Sequence, residues 1–191
     1  MFRTIATLLG TMREALVPTL SIEPERLGVR PATHQDLDAI VGLNSMLGQE
    51  QADRFGATPG SLLRPRNVFK QAIGDRRSLL LVATVDGAVA GYALAYPAPR
   101  GDRRATWLEA IFVARKFRNS SLPDWLATEV VKRLRESGAT EIMTQVSQAD
   151  SATSEVLSRA GLKDLYAVMR RPKAEAPSAA NGWSFRNARR A

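Results

Sequence analysis

The chain has 191 residues, a formal charge of +8, and 45% apolar and 24% charged residues, the proportions of an ordinary soluble globular protein with one full core plus tails. It has no cysteine, which excludes disulfides, thiolate metal sites and a cysteine nucleophile. A single histidine, His34, leaves no material for a histidine metal cluster or a Ser-His-Asp triad, and no metal site is expected.

Residues 2–20 place Phe2, Ile5, Leu8, Leu9, Met12 and Leu16 at helical intervals, so an amphipathic helix is expected, followed by a linker over 21–26. The apolar run is far short of a membrane span and lacks the architecture of a secretory signal. Packing on the domain or on a partner subunit suits it better. Residues 27–31 read as a short strand, and Thr33-His34-Gln35-Asp36 has capping-box form. Leu37, Ile40, Val41 and Leu43 then supply the apolar face of a helix, with His34 exposed at its start. Residues 47–59 are polar and contain glycine, and read as a loop or short helix; residues 62–73 read as a second helix.

The clearest hairpin covers residues 78–97. Asp86-Gly87 between two apolar runs favours a tight turn with positive φ, and Gly91 within the second run marks a bulge or a close backbone approach. A polar loop over 97–104 leads into 107–113, rich in β-branched and aromatic residues and expected to be the central strand. A basic turn, Arg115-Lys116-Phe117-Arg118, gives way to Asn119, Ser120 and Ser121, and Pro123 with Asp124 then starts a helix. Trp125, Leu126, Val130, Val131 and Leu134 share a face of that helix, which stops at Gly138.

A strand running through a basic turn into a helix N-terminus offers unpaired N–H groups and the positive end of the dipole to a phosphate. Arg100, Arg103, Arg104, Arg115, Lys116 and Arg118 outweigh Asp102 and Glu109 along this stretch, which suits a polyanion. Nucleic acid would call for aromatic platforms or a recognised module; neither is present, so that partner is not expected. Residues 140–146 read as a strand, 152–159 as a short helix and 162–169 as a last strand. Beyond residue 171 the composition turns to Pro, Ala, Ser, Asn and Arg without period, which reads as a flexible basic tail; the competing reading is a partner-docking tail anchored by Trp183 and Phe185. The sum is a mixed α/β domain whose ligand is expected beyond the carboxyl end of the central strand.

The phrase Leu108-Glu109-Ala110-Ile111-Phe112-Val113, the five-residue step from Val113 to Arg118 and the entry into a helix resemble the acyl-coenzyme A-binding segment of the GNAT N-acetyltransferase superfamily, its polyamine-type members in particular. The resemblance extends from about residue 28 to 171. It implies an α/β (α+β mixed sheet) GNAT domain over 27–171, flanked by an N-terminal helix and linker (1–26) and a tail (172–191). It also implies acetyl-CoA as co-substrate, its pantetheine arm paired along Ile111, Phe112 and Val113. The pyrophosphate would meet the turn formed by Arg118, Asn119, Ser120, Ser121, Leu122 and Pro123.

In the same resemblance Glu109 takes the place of a proton acceptor, a role that burial in a strand would assist by favouring retention of the proton. The competing reading of Glu109 is a solvent-facing glutamate, or one paired with an arginine such as Arg104. The implied acceptor is an amine on a small molecule or protein, its pocket shaped by residues 47–73, and the implied location is the cytoplasm.

The chain departs from the family in two places. The family loop Arg/Gln-x-x-Gly-x-Gly/Ala carries no glycine here, and Pro123 has no N–H to offer. The tyrosine that members often carry before the last strand falls on Leu157; Tyr166, nine residues on, reads as a packing residue. Two function classes therefore stay open: an N-acetyltransferase, and a GNAT-fold protein without catalysis acting as a structural or partner-binding subunit. The N-terminal helix and the C-terminal tail are the surfaces expected to meet a second copy or a partner protein.

Overall fold

Alternating apolar residues give the strands of this chain two inward-facing sides, and each side carries a separate core. The computed structural model describes residues 26–55, 63–98, 104–147 and 150–164. Strands β1 (Leu27–Pro31), β2 (Leu79–Val85), β3 (Ala88–Pro97), β4 (Ala105–Val113) and β5 (Glu141–Thr144) form one sheet in chain order, antiparallel except for the parallel pair β4–β5. Helices α1 (Leu37–Phe55) and α2 (Arg66–Gly74) cover one face, with Ile40, Leu43 and Phe69 over Val82, Tyr92, Leu94 and Phe112. Helices α3 (Leu122–Glu136) and α4 (Ser151–Arg159) cover the other, with Leu122, Leu126, Val130 and Leu157 over Leu81, Ala93, Leu108 and Val113.

The hairpin forms as its sequence dictates. Asp86 and Gly87 both adopt positive φ, 51° and 79°. At Gly91 the backbones close up: a Cβ there would lie 2.7 Å from the carbonyl oxygen of Phe112. The register slips beside it, with Gly91 opposite Ala83 and Val89 opposite Thr84, so that Ala90 is an extra residue.

Three elements differ from the sequence reading. Helix α1 continues through residues 47–55, expected as a loop or short helix, because the polar residues there occupy one helical face while Ala52 is buried on another. Trp125 is 40% exposed: Leu122, Leu126, Val130 and Leu134 fill the buried stripe of α3 and leave the indole at its margin. The last strand is not formed over residues 162–164, and 165–169, with Tyr166, lie outside the described residues. Also outside them are the expected N-terminal helix and linker up to residue 25, residues 99–103 of the basic stretch, and the tail with Trp183 and Phe185.

Two polar clusters hold the α1 face. Tyr92 donates to buried Asn44 at 3.2 Å, and the Asn44 amide donates to the Arg64 carbonyl at 3.1 Å, tying the approach to α2 onto α1 and the sheet. At the start of α1, Asp36 accepts from Arg30 at 2.7 and 2.8 Å, from the Thr33 N–H at 2.8 Å and from its hydroxyl at 2.9 Å. The Arg30 guanidinium, aided by Thr33 and opposed by burial, holds the Asp36 carboxyl well below the usual carboxylate range.

A depressed carboxyl contributes its stability fully above its unfolded value, near ~3.9, and loses it as pH falls towards the folded value. Asp36→Asn is therefore expected to lower stability at neutral pH by roughly 1.5–3 kcal/mol. In urea unfolding, the gap between variant and parent should narrow below about pH 4. A gap independent of pH would mean that the charge of Asp36 does not act.

Candidate functional site

Strand β4 changes character at Glu109. Leu94 of β3 lies opposite Ala110 and Ala95 opposite Leu108, which makes Glu109 the extra residue of a bulge and bends the strand. Pairing with β5 stops at the same place: it joins Ala105–Leu108 to Glu141–Thr144 and goes no further. A cleft of about 180 Å³ opens where the two strands part, between residues 109–113 of β4 and residues 144–147 at the end of β5 and just past it. Helix α1 contributes Leu47, Glu50, Gln51 and Arg54, α4 and its cap contribute Asp150 and Thr153, and Pro123 lies at the α3 end.

The Glu109 side chain is 9% exposed and faces this cleft. Its Oε2 accepts from the Tyr96 hydroxyl at 2.6 Å and from the Trp107 indole N–H at 2.9 Å, two residues that stand opposite each other on β3 and β4. Its other oxygen is ion-paired with Arg64, not with Arg104. Three donors, from β3, from β4 and from the approach to α2, thus converge on one carboxyl group.

Arg118 lies across the β4 end of the cleft. Its Nε donates to the Val113 carbonyl at 2.9 Å, its terminal nitrogen reaches Glu50 at 2.8 and 2.9 Å, and the guanidinium sits 5.0 Å over the Phe112 ring. The Lys116 ammonium rests over Phe117 at 4.7 Å and does not line the cleft. In the turn, the Ser120 hydroxyl donates to the Phe117 carbonyl at 2.7 Å and accepts from the Leu122 N–H at 3.2 Å. The N–H groups of Asn119, Ser121 and Asp124 meet no acceptor among the described residues.

Of the residues singled out from the sequence, Glu109, Ile111, Phe112, Val113, Arg118 and Pro123 share the cleft. Asn119, Ser120, Ser121 and Leu122 do not line it, and the Leu122 side chain is fully buried in the core. Sequence reasoning missed Glu50 and Arg54. Leu47, Glu50, Gln51 and Arg54 stand at i, i+3, i+4 and i+7, a helical stripe visible in the sequence had residues 47–55 been read as helix.

The sequence matches the model of the acetyltransferase (GNAT) family over residues 46–161, more than half of the chain. The chain belongs to the GNAT family. Among curated proteins, none matches it. Solved structures share the fold at low identity. A mutant of the BH1408 protein from Bacillus halodurans is 15% identical, with a TM-score of 0.64 over 76% of this chain and 99% of that one.

The aminoglycoside N-acetyltransferase AAC(6')-Iy, solved with CoA, is 19% identical, with a TM-score of 0.60 over 78% and 95% of the two chains. The aminoglycoside acetyltransferase meta-AAC0020 from an uncultured soil metagenomic sample is 11% identical, with a TM-score of 0.58 over 80% and 99%. Acetyl transfer is the general chemistry of the GNAT family, and the mixed five-stranded sheet with helices on both faces is its architecture. Within this GNAT domain Leu157, at the expected tyrosine position on α4, is 3% exposed and packed in the core shared with α3. No helix among the described residues is long and apolar enough to cross a membrane.

Proposed function

We propose that this chain is a cytoplasmic N-acetyltransferase that moves the acetyl group of acetyl-CoA to an amine. The observation that carries the reading is the parted end of β4: residues 111–113 border an open cleft on the side away from β3, an edge that a pantetheine arm can join like an added strand. Beyond it, the unsatisfied N–H groups at the start of α3, the helix dipole and Arg118 suit a diphosphate. The CoA held by AAC(6')-Iy, on the same fold, supports the same acetyl donor here.

In this reading the Glu109 carboxylate takes a proton from the acceptor ammonium, directly or through water. The freed nitrogen attacks the thioester carbonyl carbon and the C–N bond forms; the tetrahedral oxyanion then collapses, the C–S bond breaks, and the second proton of the nitrogen passes to the departing sulfur, which leaves as the coenzyme thiol. Arg64, 46% exposed, is the partner of Glu109 that an incoming ammonium can displace.

A second reading, a GNAT-fold binding subunit without catalysis, has its own support. Arg118 already takes the Val113 carbonyl, the turn has no glycine, and Leu157 provides no hydroxyl.

Calorimetric titration with acetyl-CoA separates the two: absence of heat at millimolar ligand would leave only the second. If the coenzyme binds, Ser121→Gly combined with Pro123→Gly is expected to tighten it. The change restores a close backbone approach and one donor to a charged group, worth roughly 1.5–3 kcal/mol, or about one to two decades in Kd. Unchanged affinity would show that the turn does not face a phosphate.

A further inference from the structure

The charged side chains around the cleft are paired one for one. Glu50 is bonded to Arg118, Asp150 to Arg54 at 3.3 Å, and Glu109 to Arg64. Among the described residues, the rim therefore carries no uncompensated negative charge, on a chain whose formal charge is +8. A polycationic amine draws its attraction from unpaired carboxylates; here every ammonium beyond the reacting one would meet a balanced rim and a cationic protein.

The three arginines are not equivalent. Arg118 is spread over the Val113 carbonyl, Glu50 and the Phe112 ring, and Arg64 serves Glu109. Arg54 makes one contact among the described residues, the 3.3 Å pair with Asp150, and its side chain is 40% exposed. A guanidinium has five donors in a planar fork suited to a carboxylate, so most of its capacity is unspent. It stands one helical turn beyond Glu50 on the α1 stripe and lines the same cleft as Glu109.

We propose that Arg54 receives a carboxylate of the acceptor. The acceptor is then a monoamine bearing an anionic group, amino-acid-like or peptide-like with a free carboxyl, and not a polycation of the aminoglycoside kind. The fate of the amine rests on the acetyltransferase reading; its binding does not.

The full chain should be titrated calorimetrically with glycylglycine, with its amide glycylglycinamide, and with sisomicin, and separately with acetyl-CoA. Glycylglycine is expected to bind at least about tenfold more tightly than the amide, the difference made by hydrogen bonds to one charged group. Arg54→Ala should abolish that preference without weakening the amide, whose ammonium gains the freed Asp150 carboxylate, and Arg54→Lys should restore part of it. Equal affinities, a preference for sisomicin, binding of none of the three, or a preference that survives Arg54→Ala would each overturn the proposal. Failure of acetyl-CoA to bind while the glycylglycine preference holds would remove the acetyltransferase reading and leave the carboxylate site standing.

Discussion

Glu109→Gln is expected to slow acetyl transfer by about 10²–10⁴-fold, the range contributed by a positioned acid or base, with little change in acetyl-CoA affinity or stability. The substitution keeps the shape and a carbonyl oxygen for the Tyr96 and Trp107 donors, and removes only the charge and the capacity to take a proton. The lost pair with Arg64 contributes little to folding because that guanidinium is 46% exposed and stays solvated. Release of free coenzyme thiol under saturating donor and amine measures the rate, and calorimetry measures donor affinity. An unchanged rate would discard Glu109 as the base.

Phe69→Ala should cost about 3–5 kcal/mol of stability. The ring is fully buried and is the main anchor of the short helix α2, meeting Tyr92 edge-on with centroids 5.7 Å apart. Tyr92 in turn bonds Asn44, which holds the Arg64 carbonyl, so the loss propagates to the arginine that faces Glu109. Urea unfolding gives the stability directly. A loss below about 1 kcal/mol would mean that the site collapses around the missing ring, as well-relaxed cavities do.

Local chemistry made much of this fold legible. Alternating apolar residues and Asp86-Gly87 specify the β2–β3 hairpin, Gly91 announces its close contact with Phe112, and Pro123 and Gly138 bracket α3. The cleft was half legible. Its β4 wall followed from a short phrase, because a strand running into a basic turn is a local pattern. Its α1 wall did not, since a polar helical face that lines a cleft has a composition that suits a loop as well as a short helix, and Glu50, Gln51 and Arg54 fall in such a stretch. Partnership is harder still: that Arg64, and not Arg104, meets Glu109 depends on how α2 docks against the sheet. The exposure of Trp125 is another tertiary outcome, decided by which residues of α3 win the buried stripe.

The bulge in β4 separates chemistry from folding. Glu109 belongs to neither alternating row of its strand, so exchanging its side chain need not disturb the two rows that pack against the helices. Deleting it would leave Leu108 opposite Ala95 and Ala110 opposite Leu94, with Ile111, Phe112 and Val113 still alternating between the two cores, and would remove the bend together with the carboxylate. A lineage built on this backbone can therefore drift in what it does by point substitution at this position and still fold.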